Sequence, residues 1–183
     1  WWWEWAPRAT RTKKNLPERA EIAIVGSGFT SLVAALQLAR AGRDVVVLEA
    51  NTVGYGASSR NGGLVGSGNQ QFTVARLIEL YGKDQAQALL QEGISALSYI
   101  KAMIGAEDIQ CHYREAGRFR GASRPRHYDN LARDMDDLHT FAGVESYMVP
   151  RAEVGSEIGT EVYYGGAVLP RDASLHPALY HAG

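Results

Sequence analysis

The chain holds 183 residues, 45% of them apolar and 21% charged, which suits a folded chain with a sizeable core and excludes a disordered or collagen-like one. Nineteen basic and twenty acidic residues leave a net charge of −1, so nothing global points to nucleic acid or an anionic membrane surface as partner. The lone cysteine, Cys111, excludes an internal disulfide framework and fits a reducing compartment, so a cytoplasmic location is expected.

All four tryptophans lie in the opening Trp1-Trp2-Trp3-Glu4-Trp5. Apolar patches of this kind are normally covered, so the cluster is expected to pack on the body of the protein. The absence of an initiator Met suggests processing or an incomplete start. No basic segment precedes an apolar run as in a signal peptide, and no stretch approaches the length of a membrane span. Pro7 to Arg19, with Lys13, Lys14 and Pro17, reads as a polar arm. Glu21 to Val25 is then a short β-branched run that halts at Gly26, the pattern of a buried parallel strand. From Phe29 to Ala41, Leu32, Val33, Ala35, Leu36 and Ala39 recur at helical spacing, and Gly42 supplies the stop. Asp44 to Glu49 is a second buried strand, which completes a βαβ unit whose crossover is expected to be right-handed.

Asn51 to Gln70 is rich in Gly, Ser and Asn and is expected to be irregular. Helices are predicted over Phe72–Tyr81, Asp84–Ile104 and Arg124–Phe141. The second carries Leu90, Ile94, Leu97 and Ile104 on one stripe. Residues 109 to 121 look like two short strands joined near Gly117. Further strands are predicted over Tyr147–Pro150 and Val162–Leu169, with a short helix between them. Leu175, Pro177, Leu179 and Tyr180 begin a last helix that stops at Gly183, and a truncated longer chain is the expectation. The order gives an α/β fold class, a Rossmann-like βαβ unit followed by an α+β region.

Chemistry concentrates in the glycines, nine of twenty of which lie between Gly26 and Gly68. The turn Gly26-Ser27-Gly28-Phe29-Thr30-Ser31 follows a strand and opens a helix. An acidic residue, Glu49, stands at the end of the next strand, 23 positions after Gly26. That context turns a short string into a dinucleotide-binding mechanism. Gly26 permits the tight turn, Gly28 lets a pyrophosphate approach the backbone, and the helix N-terminus faces the phosphates. Glu49 is placed to accept from ribose hydroxyls, which argues against a 2′-phosphate and hence against NADP. The third Gly of the motif is replaced by Ser31, small enough for close helix–strand packing. The turn alone leaves NAD and FAD open.

A second cluster follows: Gly54-Tyr55-Gly56-Ala57-Ser58-Ser59-Arg60-Asn61-Gly62-Gly63. Together with the βαβ unit it resembles the FAD-dependent oxidoreductases of the D-amino-acid oxidase and glycine oxidase type, and within them the gamma-glutamylputrescine oxidoreductase branch. The Trp-rich start, the Cys111 segment and the Asp172…His176-Pro177 stretch are similar to that branch as well. The resemblance implies FAD as cofactor, with Ser58, Ser59 and Arg60 on phosphate and ribityl oxygens and Asn61, Gly62 and Gly63 beside the flavin ring. The expected cofactor-binding set is therefore Gly26, Gly28, Phe29, Thr30, Ser31, Glu49, Ala50, Ser58, Ser59, Arg60, Asn61, Gly62 and Gly63.

The resemblance further implies oxidation of an amine or amino acid. The flavin takes a hydride from the carbon beside nitrogen, and water hydrolyses the resulting imine. Members of the family are well over twice this length, so the missing later half is an expected partner, along with the small-molecule substrate. On that reading residues 1–20 are an arm, 21–82 the first part of the FAD-binding domain, and 83–183 part of the substrate region. No side chain is assigned as catalytic acid, base or nucleophile. The alternatives are an NAD-dependent dehydrogenase, or a remnant that binds only nucleotide or nothing.

Other groups carry less. Cys111-His112 are adjacent and point to opposite faces if on a strand, so Cys111 is expected in the core. His127, His139, His176 and His181 show no metal-ligand spacing, and no metal is expected. Asp134, Asp136 and Asp137 are expected on a solvated helix face.

Overall fold

A computed structural model describes residues 2–6, 15–67 and 72–183. Trp1, Lys13 and Lys14 with the rest of 7–14, and residues 68–71 lie outside the described residues. The chain divides into two units. One comprises residues 1–63, 107–112 and 175–183, the other 64–106 and 113–174.

The first unit is built on β1 (Ile22–Val25) and β2 (Val45–Leu48), which pair in parallel with Ile22 opposite Val45 and Val25 opposite Leu48. Between them runs α2 (Phe29–Arg40), which packs on both strands and ends where Gly42 takes φ +76°. The parallel strands with a helical crossover are the βαβ unit expected from the sequence. One detail differs. Both strands were expected to be buried, yet β1 alternates half-buried and exposed residues and Val25 is 83% exposed. In β2 all four residues are half-buried, so neither strand is enclosed on both faces among the described residues.

Two short helices complete this unit, α1 (Trp2–Trp5) and α7 (Pro177–Ala182). Pro177 stands in the first turn of α7, where its missing N–H costs nothing. The Nδ1 of His176 caps the same turn, accepting from the Leu179 amide at 3.2 Å.

The second unit contains α3 (Val74–Tyr81), α4 (Lys83–Ala106), α5 (Pro125–Ala142) and α6 (Val154–Ile158). Its main sheet is antiparallel, with β6 (Gly165–Leu169) central between β4 (Arg118–Ala122) and β5 (Tyr147–Pro150). A two-residue pair, β3 (Leu64–Val65) with β7 (Ala173–Ser174), stands apart. Leu77, Leu90, Leu131, Met135 and Leu169 form the core between α3, α4, α5 and β6. Glycines at 165 and 166 make β6 thin enough for aromatic rings to lie across it. A Cβ at Gly166 would come within 2.2 Å of the Phe119 ring.

The two strands predicted within 109–121 are reduced to one. Asp108 and His112 take φ +52° and +54°, a left-handed conformation that interrupts extended pairing. Arg114 retains a single bridge to Ser174, and continuous pairing begins at Arg118. Cys111 is nonetheless buried and His112 exposed, so the cysteine is a core residue as expected.

Candidate functional site

The glycine turn lies where β1 ends and α2 begins. Gly26 takes φ +90°, a conformation that side chains rarely adopt, and its N–H donates to the Leu48 carbonyl at 2.7 Å. Gly28 is the N-cap of α2 and offers no side-chain cap. The first-turn amides of such a helix have no intrahelical acceptor, and with the positive end of the helix dipole they form a site for an anion. One of them is already occupied, since Phe29 N–H donates to Ser58 Oγ at 3.0 Å.

Glu49 follows directly on β2 and is fixed by the turn itself. Its Oε2 accepts from Ser27 N–H at 3.0 Å and from the Ser27 hydroxyl at 2.7 Å. Its Oε1 accepts from the Asn51 amide at 2.9 Å. These donors, Asn51 foremost and then the Ser27 hydroxyl, outweigh partial burial and hold the carboxyl below its usual range. A carboxylate has about four acceptor positions, so capacity for a sugar hydroxyl remains on Oε1. Ala50, next in line, is exposed and also directs its backbone toward Glu49. Thr30 is exposed and Ser31 half-buried in the first turn of α2. The Ser31 hydroxyl stands 4.0 Å from the position of a Cβ on Gly26, so a small residue suffices there.

The second segment folds back onto this turn. Ala57–Ser59 form one 3-10 turn, and a Cβ on Gly28 would lie 3.2 Å from Ser58 Oγ. Ser58 therefore lies against the glycine turn. Ser59 is buried, and its hydroxyl donates to the Gly54 carbonyl and accepts from Trp3 Nε1 at 2.9 Å. The Arg60 guanidinium stacks over the rings of Tyr55 and Trp3, 4.8 and 5.3 Å from their centroids, while its Nε donates to Gly56 O at 3.2 Å. Asn61 closes the turn, donating to Ser58 O at 2.8 Å and accepting from Gly63 N–H at 2.8 Å. Gly62 is exposed, with open space where a Cβ would stand. Gly63 is enclosed: at φ +70°, a Cβ would meet the Leu175 carbonyl at 2.2 Å.

The turn, the acid and the second glycine segment thus lie in one unit. Residues 21–183 match the family described as DAO, FAD dependent oxidoreductase. The chain belongs to that family.

Two curated relatives resemble this FAD-dependent oxidoreductase chain over most of its length. A probable oxidoreductase OrdL of Haemophilus influenzae is 30% identical over 91% of the chain and 38% of its own length. Gamma-glutamylputrescine oxidoreductase of Escherichia coli is 32% identical over 86% of the chain and 36% of its own length. The chain thus spans less than half the length of these relatives. Among solved structures, glycine oxidase from Geobacillus kaustophilus superposes with a TM-score of 0.68 at 21% identity, covering 88% of this chain and 42% of that one. L-amino acid deaminase from Proteus vulgaris gives 0.72 at 19% identity, over 96% and 39% of the two chains. Those two likenesses establish the fold.

The residues present fit the adenosine diphosphate half of FAD. Gly28 leaves the backbone bare at the N-terminus of a twelve-residue helix, and Glu49 is fixed with acceptor capacity to spare.

Some functional residues escaped the sequence reading. Ser27, an unconstrained position of the motif, is buried and binds Glu49, Gly54 and His181. Only its position beside the glycines marks it in the sequence. The expected packing of the tryptophans is met by Trp2 and Trp3, which are half-buried, while Trp5 is 78% exposed because a four-residue helix can turn only one face to the protein. Trp2 Nε1 donates to Asn61 O at 2.8 Å, which sets α1 on the second glycine segment. Beside it lies a cavity of about 500 Å³ lined by Trp2, Trp5, His112 and His176. The Trp2 and His176 rings meet edge-on at 4.7 Å. Among the described residues no group of His, Cys, Asp and Glu could hold a metal ion. Nor is any described helix long and apolar enough to cross a membrane.

Proposed function

We propose that this chain binds the adenosine diphosphate half of FAD between the Gly26–Ser31 turn and Glu49, in an oxidoreductase that acts on an amine or an amino acid. The observation that carries the reading is the Ser27–Glu49 contact at 2.7 Å, which fixes the acid against the turn from which a dinucleotide would hang. The substrate class is supported by the relatives, one named for gamma-glutamylputrescine and others for glycine and L-amino acids.

When bound, FAD supplies the two-electron acceptor for oxidation of a carbon–nitrogen bond. The chain's own residues bind and orient it. First-turn amides of α2 face the pyrophosphate, and the Ser58 hydroxyl extends the donor set beside them. Glu49 accepts from the ribose. Arg60, held by Tyr55 and Trp3, keeps terminal guanidinium nitrogens for phosphate or ribityl oxygens. Asn61, Gly62 and Gly63 continue toward the flavin ring. In this reading residues 21–82 belong to the FAD-binding domain and 83–183 to the substrate region. The segments that longer relatives possess complete the substrate cavity. A reducing compartment, suggested by the lone buried Cys111, is part of the same proposal.

Purified chain incubated with FAD and desalted is expected to stay yellow and to release FAD on denaturation. Retention of NAD in place of FAD, or of no nucleotide, would overturn the reading.

A further inference from the structure

We infer that His181 is a positioning residue for the nucleotide turn: it holds the Ser27–Gly28 peptide in the one orientation that offers the Gly28 amide to a phosphate. The inference rests on the FAD reading above. His181 lies in α7, 154 residues from Ser27 in sequence, yet its Nε2 stands 2.6 Å from the Ser27 carbonyl oxygen. A carbonyl oxygen only accepts, so the hydrogen of this bond resides on Nε2. In the neutral ring Nδ1 is then the unprotonated nitrogen.

The consequence follows from the geometry of the peptide unit. In a planar trans peptide, the C=O of Ser27 and the N–H of Gly28 point in opposite directions. Drawing the carbonyl toward His181 turns the Gly28 N–H to the other side. No described residue accepts from that N–H. A flipped peptide would set a carbonyl oxygen, instead of a donor, against the incoming phosphate. Glycine at 28 gives the flip little steric resistance, so an outside restraint is needed.

The surroundings are shaped for that restraint. Gly54 takes φ +74°, and a Cβ there would come within 2.8 Å of the His181 ring. The Phe29 ring lies beside both Tyr180 and His181, with centroids 5.1 and 5.8 Å away. Gly54 N–H donates to Ser27 Oγ at 3.1 Å, so the loop that admits the imidazole also holds the serine hydroxyl on Glu49. His181 therefore acts through Ser27 and Gly28 and touches no cofactor atom itself.

The test compares FAD and ADP dissociation constants for the full chain, His181→Phe and His181→Gln, with the thermal midpoint of each ligand-free protein. Phe fills the space without a donor, while Gln restores a donor at similar reach. Losing one hydrogen bond to a charged phosphate predicts affinity about tenfold weaker or more for His181→Phe with both probes. His181→Gln is expected to recover most of it. Equal affinities for His181→Phe and the parent chain, or no recovery by His181→Gln, overturn the inference. Failure of the parent chain to bind FAD overturns the FAD reading itself, and so is distinguished. Should His181→Phe not fold, long-range nitrogen–proton NMR of the parent decides: hydrogen on Nε2 of His181 is expected, and hydrogen on Nδ1 alone overturns it.

Discussion

Replacing Gly63 by Ala isolates the tightest backbone requirement in the second glycine segment. The residue sits at φ +70°, where an L side chain costs about 1–2 kcal/mol. Its new Cβ would stand 2.2 Å from Leu175 O and 3.2 Å from Pro177 Cδ. The obstacle at Leu175 is backbone, and that carbonyl cannot swing aside as a flexible side chain would. Relieving such overpacking costs about 1–3 kcal/mol more. The shift also strains the bond from Leu175 N–H to Gly63 O, now 2.8 Å long. Against this, Ala restricts the unfolded chain and returns about 0.4–1 kcal/mol. The expected net loss is about 1–4.5 kcal/mol. Gly62→Ala is the matched control, because nothing lies within 4 Å of its Cβ position and its φ is not positive. That change should stay within about 0.5 kcal/mol. Urea unfolding followed by circular dichroism, with slopes compared, measures both. Coincident midpoints for the two variants would refute the assigned packing of Gly63 on Leu175.

Gly62→Val should leave the ligand-free stability near the parent, since nothing lies within 4 Å of a Cβ there; on the proposed FAD reading it should weaken FAD binding, read by flavin fluorescence, and unchanged affinity would move the flavin elsewhere. Since every tryptophan lies in residues 1–5, and Trp2 and Trp3 are bonded to Asn61 and Ser59, FAD binding should quench intrinsic tryptophan emission in a saturable manner. A titration without quenching would separate α1 from the cofactor. In the second unit, Asp172 is 1% exposed and faces Arg118 at 3.3 Å while binding Ser67 N–H at 3.0 Å. Asp172→Asn should destabilise by about 3–5 kcal/mol, and the apolar pair Asp172→Leu with Arg118→Met by less, as double-variant unfolding would test. Glu49, whose carboxyl is held below its usual range, contributes stability above the unfolded carboxylate value of about 4.3 and loses it as pH falls through its folded value. Glu49→Gln should therefore lower stability at neutral pH and flatten the acid limb; an unaltered pH profile of the urea midpoint would contradict the bonding to Ser27 and Asn51.

Local patterns were legible wherever one residue type serves one purpose. The short β-branched runs within Glu21–Val25 and Asp44–Glu49, closed by Gly26 and Glu49, read as strands, and the spacing of Leu32, Leu36 and their neighbours as a helix. Gly26 and Glu49 were readable because turn geometry and charge leave few alternatives. The stripe on α4 held because Leu90 and Leu97 do face the core. What failed was burial and anything set by distant partners. The alternation of β1 depends on which layers cover the sheet, and no strand sequence of four residues encodes that. The break at Asp108 and His112 involves two residues in left-handed conformations, which ordinary propensities assign to glycine.

Gly63 carries that contrast furthest. In sequence it reads as a residue made small for a flavin, and the same smallness is demanded by the Leu175 carbonyl. A glycine can satisfy a cofactor and a backbone at once, because absence of a side chain serves any close approach. The two glycines beside each other, 62 open and 63 enclosed, therefore separate the two demands. Serine behaves likewise at positions 58 and 59: the first meets the helix amide at Phe29, while the second turns inward to Gly54 and Trp3. Successive residues of a single turn thus divide between meeting the start of α2 and anchoring their own loop. His181 extends the same division to α7, where a side chain with no place in the glycine motif fixes the direction of an amide within it.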